Sequence, residues 1–463
     1  MKKTTRSAVV LLSVLASLPA ASYAANPVIQ TIYTADPAPV VHDGVCYLYV
    51  GHDEDVSGKD GFTLKDWRCF TSTDMVNWTD HGVVATLHDF KWAGSGWGGG
   101  FENGAWALQC IERDGKWYMY CPLQGRGIGV LVADHPFGPF TDPIGKPLIG
   151  GNHDSIDPTV FIDKDGQAYL CWGNPRYWYV KLNRDMISFD TSIGDKGLVV
   201  HDMTVEAFGK RSKDDPHRLT TYEEGPWLYQ RNALYYLIFA GGPISEHIGY
   251  STGPSPTGPW KYGGVVLPSQ GRSFTDHPGV VDFKGKTYLF YHNGDLPGGD
   301  GFHRSVCVDE MKFNPDGSIV PMTMTKDGVA PVATLNPYQR VEAETIAWES
   351  GVKTTNSADV GVYVTVNTNG AYIKIKGVDF GKKGAKKFLA SVAGATKGNA
   401  IELRLDSETG PIIGTLKVKS TGTLDKWKTQ SCSVKMAKGV HDLYLKFTGR
   451  SGEFFNFDWW KFE

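Results

Sequence analysis

One phrase recurs five times in this chain and restricts its fold more than any other feature. An acidic or imidazole residue leads into a short apolar run, a tight turn and an aromatic-rich strand. The stretches are ADPAPVVHDGVCYLYV from Ala35, ALQCIERDGKWYMYC from Ala107, IDPTVFIDKDGQAYLCW from Ile156, EGPWLYQRNALYYLIFA from Glu224 and HPGVVDFKGKTYLFYH from His277. Their turn residues, Gly44, Gly115, Gly166, Ala233 and Gly285, return roughly every 50 to 70 positions. That period suits a four-stranded antiparallel unit repeated about an axis, and predicts a five-bladed β-propeller. In four of the units the turn is preceded by Asp36, Asp157, Glu224 and His277. Equivalent repeats start the same strand of successive blades with these side chains and gather them near one end of the axis. Three carboxyls and an imidazole in one cleft point to hydrolytic chemistry.

Length and charge narrow the partners. The 463 residues suffice for two or three domains. A formal net charge of −3, with Lys and Arg scattered along the chain, argues against nucleic acid. The 14 Trp, 21 Tyr and 55 Gly suit an all-β protein whose ligand has apolar faces and many hydroxyls. Residues 1–24 read as a signal peptide: Lys2, Lys3 and Arg6, an apolar run, then Ser22-Tyr23-Ala24 as a small-x-small cleavage site. The run is too short to span a bilayer, so a secreted or periplasmic monomer without membrane attachment is expected. Seven cysteines leave at least one unpaired within a single chain, and none has a metal-binding spacing.

The character changes at 331–337. Residues 25–333 carry the repeats. From 338 to 463 the sequence alternates polar and apolar residues, as in AYIKIKGVDF, IELRLD and HDLYLKF, which predicts a β-sandwich. No long linker intervenes, so the two modules are expected to pack together.

Hydrolysis of a glycoside needs two carboxyls of unlike pKa, one to protonate the leaving oxygen and one to act on water. Asp36 and Asp157 each precede a proline, which favours an extended backbone at the aspartate. Glu224 lies in Glu-Glu-Gly-Pro-Trp, where Gly225 permits close approach and Trp227 offers an apolar wall to raise its pKa. Any one of these is a common turn former. Their shared place in the repeat is what points to catalysis.

Several ordered motifs resemble glycoside hydrolase family 43. They are TADPAPVV (34–41), IDPTVF (156–161), EEGPWLY (223–229), IGYSTGPSPTGPW (248–260), DHPGVVDFKGKTYLFYHNG (276–294) and HRSVCVDE (303–310). The resemblance is to its arabinofuranosidase branch and covers about residues 27–330. It implies inverting hydrolysis with Asp36 as general base, Glu224 as general acid, and Asp157 tuning and orienting the acid. It also implies that Arg304 holds the sugar and that His277 lies near the axis, where it holds a calcium ion directly or through water. Phe101 and Trp106 are candidates for the wall of the first sugar subsite, with Trp97 a further aromatic nearby. Relatives carry Trp-Ala-Pro where this chain has Trp106-Ala107-Leu108, so the local loop departs from the pattern.

The second module resembles a family 6 carbohydrate-binding module through RVEAET (340–345), AYIKIKGVDFG (371–381), TGTLDKWKTQSCSV (421–434) and FNFDWWKF (455–462). Such modules are jelly rolls with a structural calcium ion. Glu342 and Glu344, read as alternating on one strand, and Asp458 supply oxygen ligands for Ca²⁺. Tyr363, Trp427 and Asn456 match the residues that clamp a sugar. The expected function is release of α-L-arabinofuranose from arabinoxylan or its oligosaccharides, without an organic cofactor. A β-xylosidase, alone or combined with that activity, is the alternative on the same fold. A non-catalytic xylan-binding protein is the alternative from another class.

Overall fold

The turns expected from the repeats are hairpins whose backbone requires left-handed residues. Asp43 and Gly44 have φ of 47° and 75°, and Asp114 and Gly115 have 55° and 79°. Two successive positive φ values match the right-handed twist of the flanking strands, which is why Asp-Gly recurs here. These hairpins open two of five consecutive antiparallel sheets in the computed structural model. It describes residues 26–463 except 57–60, 95–99, 152–153, 395, 436 and 450–453. The signal peptide expected at 1–24 and Trp97 lie outside the described residues.

The first strands of the five sheets are Thr34–His42, Gln109–Arg113, Thr159–Ile162, Tyr222–Arg231 and Gly279–Phe283. Each packs against the first strand of the next sheet, and the fifth packs against the first, so the sheets close into a ring. Four of them have four ring strands in sequential order, and the fifth has three among the described residues. The chain start completes the closure: the Val28 N–H donates to the Val306 carbonyl at 2.8 Å, and the Thr34 N–H to that of Arg304 at 2.9 Å. Aromatic side chains fill the spaces between sheets. Tyr47 and Tyr49 of the first sheet, for example, contact Trp117 of the second.

Residues after the ring form two facing antiparallel sheets. Ile373, Ile375, Leu403 and Leu445 of one sheet meet Val364, Phe388, Phe457 and Trp460 of the other in a dry core. Each such aliphatic side chain contributes about 1.5–3 kcal/mol through burial. Alternate residues along each strand point inward, which is the period-two pattern of the sequence.

The two modules interlock. Thr345–Ile346 adds a fifth strand to the outer edge of the first ring sheet by pairing with Trp78–Thr86. The Asn77 amide donates to the Lys376 carbonyl at 2.9 Å and accepts the Lys376 N–H at 2.8 Å. All seven cysteines are free, six of them buried in the ring. Among the described residues no helix is long and apolar enough to cross a membrane.

Candidate active site

Equivalent backbone irregularities bring the repeat-leading acids to one place. Asp36 sits at a register shift between Ala35 and Ala38, with φ of 54°. Asp157 repeats this conformation at φ 52°, just before its strand. In the fourth sheet the left-handed residue is Gly225 at φ 58°, flanked by register irregularities, so Glu224 stands one residue earlier. All three left-handed residues precede a proline. The extended backbone expected at Asp36 and Asp157 is therefore corrected. A bulge must turn the chain sharply here, and aspartate tolerates the left-handed region at a cost of about 1–3 kcal/mol. Gly225 also admits close packing, because a Cβ there would lie 3.0 Å from His277 Nδ1.

Asp36, Asp157, Glu224, His277, Arg304 and Trp106 line one hollow of about 280 Å³, together with Phe62, Gln124, Thr275 and Asp276. Six of the residues singled out from the sequence thus meet there. Arg304 organises the floor. It donates from Nη1 to Asp36 Oδ1 at 2.9 Å, and from Nε and Nη2 to the two Asp53 oxygens at 2.9 and 3.0 Å. Its guanidinium also lies 4.5 Å from the centre of the Phe62 ring. Arg304 is 3% exposed, so this is a buried ion cluster and not a surface pair.

The three acids experience different fields. Burial pushes the Asp36 carboxyl up, but the Arg304 cation, which also donates a hydrogen bond to it, outweighs burial and holds it below its ordinary value. Burial raises Asp157 well above its ordinary value, helped by repulsion from Glu224 and Asp36. Glu224 is also raised, chiefly by burial and further by Asp36, against a hydrogen bond from Asn174 that favours its ionised form. The Gly225 N–H donates to Asp157 Oδ2 at 3.1 Å, which links the two acids through one backbone unit. The result is one carboxyl favouring the anion opposite two favouring the proton.

Two expected residues occupy other positions. Phe101 lies off the hollow and stacks on His88, with ring centres 4.5 Å apart at 10°, while Phe62 supplies the aromatic wall beside Trp106. Trp227 does not wall Glu224. Its ring is buried in the ring core and its indole N–H donates to the Val280 carbonyl at 3.1 Å, because a strand residue three positions on from Glu224 faces away from it. The Trp106 indole N–H is buried without a protein partner, which leaves a donor beside the acids.

Sequence reading missed the groups that hold these residues in place. His292 lies 3.5 Å from Asp36 Oδ1, and burial lowers its pKa to about 3, so it is a neutral neighbour. Asn174 donates to Glu224 and accepts from Arg218 Nη2 at 2.9 Å, and Arg218 pairs with Glu223. The doubled acid in Glu223-Glu224 was the one visible sign of this chain of contacts.

In the sandwich, Tyr363 and Asn456 line a hollow of about 390 Å³ with Leu424 and Asp425. Trp427 touches Tyr363 edge to face, ring centres 5.1 Å apart at 72°, so the two rings meet and leave no slot between them. The Asn456 amide donates to the Leu424 carbonyl at 2.8 Å. Glu342 and Glu344 do not share a strand, because the strand Val341–Glu342 ends before Glu344. Arg340 bridges Glu342 at 2.8 Å and Asp458 at 3.4 Å. Glu344 Oε2 is buried with no partner, and burial lifts that carboxyl to about 9. The orphaned oxygen is a hard donor of the kind calcium takes, but Glu342, Glu344 and Asp458 do not bring ligand atoms within 4.8 Å of one another. Among the described residues, the one trio of potential ligand atoms within 4.8 Å of each other is His52, Glu54 and Asp66. His277 belongs to no such trio and faces the Arg304 cation.

Comparison with known proteins fits this geometry. The family model for glycosyl hydrolases family 43 matches residues 24–319, and that for the carbohydrate binding module (family 6) matches 342–463. An arabinoxylan arabinofuranohydrolase of Bacillus subtilis (strain 168) is 35% identical over 500 residues, spanning 94% of this chain and 92% of that protein. A xylosidase/arabinosidase of Bacteroides ovatus is 33% identical over 321 residues, spanning 62% and 94% respectively. Among solved structures, a family 43 arabinoxylan arabinofuranohydrolase from Bacillus subtilis in complex with cellotetraose superposes with a TM-score of 0.80 at 32% identity. The match covers 95% of this chain and 99% of that one.

Proposed function

Since this chain belongs to family 43 of the glycosyl hydrolases, we propose that it removes α-L-arabinofuranose side groups from arabinoxylan and its oligosaccharides, inverting the anomeric centre. The observation that carries the reading is the hollow where Asp36, Asp157 and Glu224, from three different sheets, face one another beside Arg304 and Trp106. In this reading the closed ring is a five-bladed propeller and the second module a jelly roll.

The division of labour follows from the fields. Asp36, kept ionised by Arg304, takes a proton from water as the water oxygen bonds to the anomeric carbon. Glu224, kept protonated by burial, gives its proton to the departing glycosidic oxygen. Asp157, joined to Glu224 through the Gly225 N–H, orients the acid. The Trp106 indole N–H and the Arg304 edge are positioned to donate to sugar hydroxyl oxygens.

Glu342, Glu344 and Asp458 would hold a calcium ion in the sandwich, whose charge would favour the ionised form of the buried Glu344 carboxyl. An ion on the ring axis would have His277 as its protein neighbour and water as its remaining shell. The module's own hollow at Tyr363 and Asn456, with Trp427 at its side, would bind xylan. The relative named xylosidase/arabinosidase favours a second activity on terminal xylose. Paired aryl α-L-arabinofuranoside and aryl β-xyloside assays separate the two, and NMR of the first anomer released reports inversion. Replacing Glu224 with glutamine should lower turnover by at least about a hundredfold while xylan binding persists; undiminished turnover would refute the assignment.

A further inference from the structure

A second hollow is larger than the catalytic one. It measures about 660 Å³ and lies in the seam between ring and sandwich, within the range typical of small-molecule sites. Ring loops carrying Tyr33 and Asp55 form one wall, and sandwich residues Trp348, Glu349 and Tyr372 form the other. It opens at the same end of the ring as the acids. Tyr33 precedes the start of the strand that carries Asp36, and Asp55 follows the end of its antiparallel neighbour, Val45–His52.

The seam hollow adjoins both other sites. Toward the catalytic hollow the partition is Asp53, which lines the seam and holds Arg304. Above it runs a belt of rings: Trp106 contacts Phe62, Phe62 contacts Phe302, and the next residue, His303, contacts Tyr33 at the seam with ring centres 5.2 Å apart. Toward the sandwich site, Thr365 and Asn367 line both the seam hollow and the hollow of Tyr363 and Asn456.

From this continuity we propose that the seam is a glycan subsite, and that one xylan main chain occupies the catalytic mouth, the seam and the sandwich hollow together. This extends the arabinofuranosidase reading and rests on it. A xylan chain is a neutral polyol whose sugar rings have apolar faces. Tyr33, Trp348 and Tyr372 supply surfaces for those faces, and Asp55, Glu349 and Asn367 supply hydroxyl partners. An anionic ligand is disfavoured, because the seam lysine, Lys353, donates its ammonium to the Thr31 carbonyl at 3.0 Å and the walls carry carboxylates. The sandwich then acts as part of an extended cleft, and not only as a tether that raises local concentration.

Two variants test this in the full chain. Thr368→Trp adds bulk from an exposed position at the seam, and Trp348→Ala removes a stacking surface. The inference expects kcat/KM on polymeric arabinoxylan to fall about tenfold, the size of losing one well-placed aromatic contact, with kcat/KM on an aryl arabinofuranoside unchanged. Should Trp348→Ala fail to fold, Thr368→Trp carries the test alone. Calorimetric titration of xylohexaose into the Glu224→Gln protein gives a readout that needs no turnover. Affinity about tenfold weaker in the Glu224→Gln, Thr368→Trp double variant supports the seam even if the parent enzyme proves inactive on arabinosides. Unchanged polymer kinetics and unchanged xylohexaose affinity in Thr368→Trp overturn it.

Discussion

Replacing Asp53 with alanine isolates the contribution of the buried clamp. Asp53 is wholly buried and accepts three hydrogen bonds from Arg304, from the backbone N–H, Nε and Nη2, each at 2.9–3.0 Å. Alanine leaves the 3%-exposed guanidinium with Asp36 as its remaining carboxylate partner. Removing one partner of a buried ion pair costs about 3–5 kcal/mol, because the other charge stays desolvated. For a domain of this size each kcal/mol moves the thermal midpoint by about 2–4 °C at most, so a loss on the order of 5–10 °C is expected by differential scanning calorimetry. Activity should fall as well, since Arg304 freed from Asp53 no longer fixes Asp36. A drop in kcat/KM of about tenfold or more on an aryl arabinofuranoside corresponds to about 1.4 kcal/mol of transition-state stabilisation. Asp53→Asn retains one acceptor oxygen and should recover part of the stability. An alanine variant that melts within about 1 °C of the parent and keeps full kcat/KM would refute the clamp.

Other outcomes follow from the same fields and contacts. The profile of kcat/KM against pH should be a bell: Asp36 must be ionised and is held low, so activity is lost only in acid, and Glu224 must be protonated and is held high, so activity is lost as pH rises past it. Asn174→Ala removes a donor that favours ionised Glu224, so its alkaline limb should move to higher pH; an unmoved limb contradicts the assignment. Asn77→Ala orphans the Lys376 N–H and carbonyl at the seam, at about 1–3 kcal/mol for each buried group. Calorimetry should then show the sandwich melting ahead of the ring, where a single unchanged transition would argue against this contact. Without calcium, Glu344 keeps its proton when folded up to about 9 but releases it near 4.5 when unfolded, so stability falls as pH rises through that window. Glu344→Gln should remove that slope and weaken the rise in thermal midpoint that added Ca²⁺ produces in the parent; an equal rise in both proteins would place calcium elsewhere.

The parts of the molecule legible in the primary sequence are those governed by short-range chemistry. Asp43-Gly44 and Asp114-Gly115 specify hairpins because only such residues accept two successive positive φ values, and alternation in 338–463 specifies a sandwich because side chains along a strand alternate faces. The shared offset of Asp36, Asp157 and Glu224 from those turns located the acids before any distance was known. Tertiary structure decided the rest. The clamp joins Asp53 to Arg304 across 251 residues, and Asn174 reaches Glu224 across 50. No local pattern encodes such pairs, since they arise only when the ring closes. Phe101 and Trp227 show the converse. Trp227 lies three residues from Glu224 and Phe101 five from Trp106, and each was turned away by the direction its own segment took once packed. Propensity acts over a few residues, whereas the field that sets a carboxyl's pKa is summed over every group that folding brings beside it.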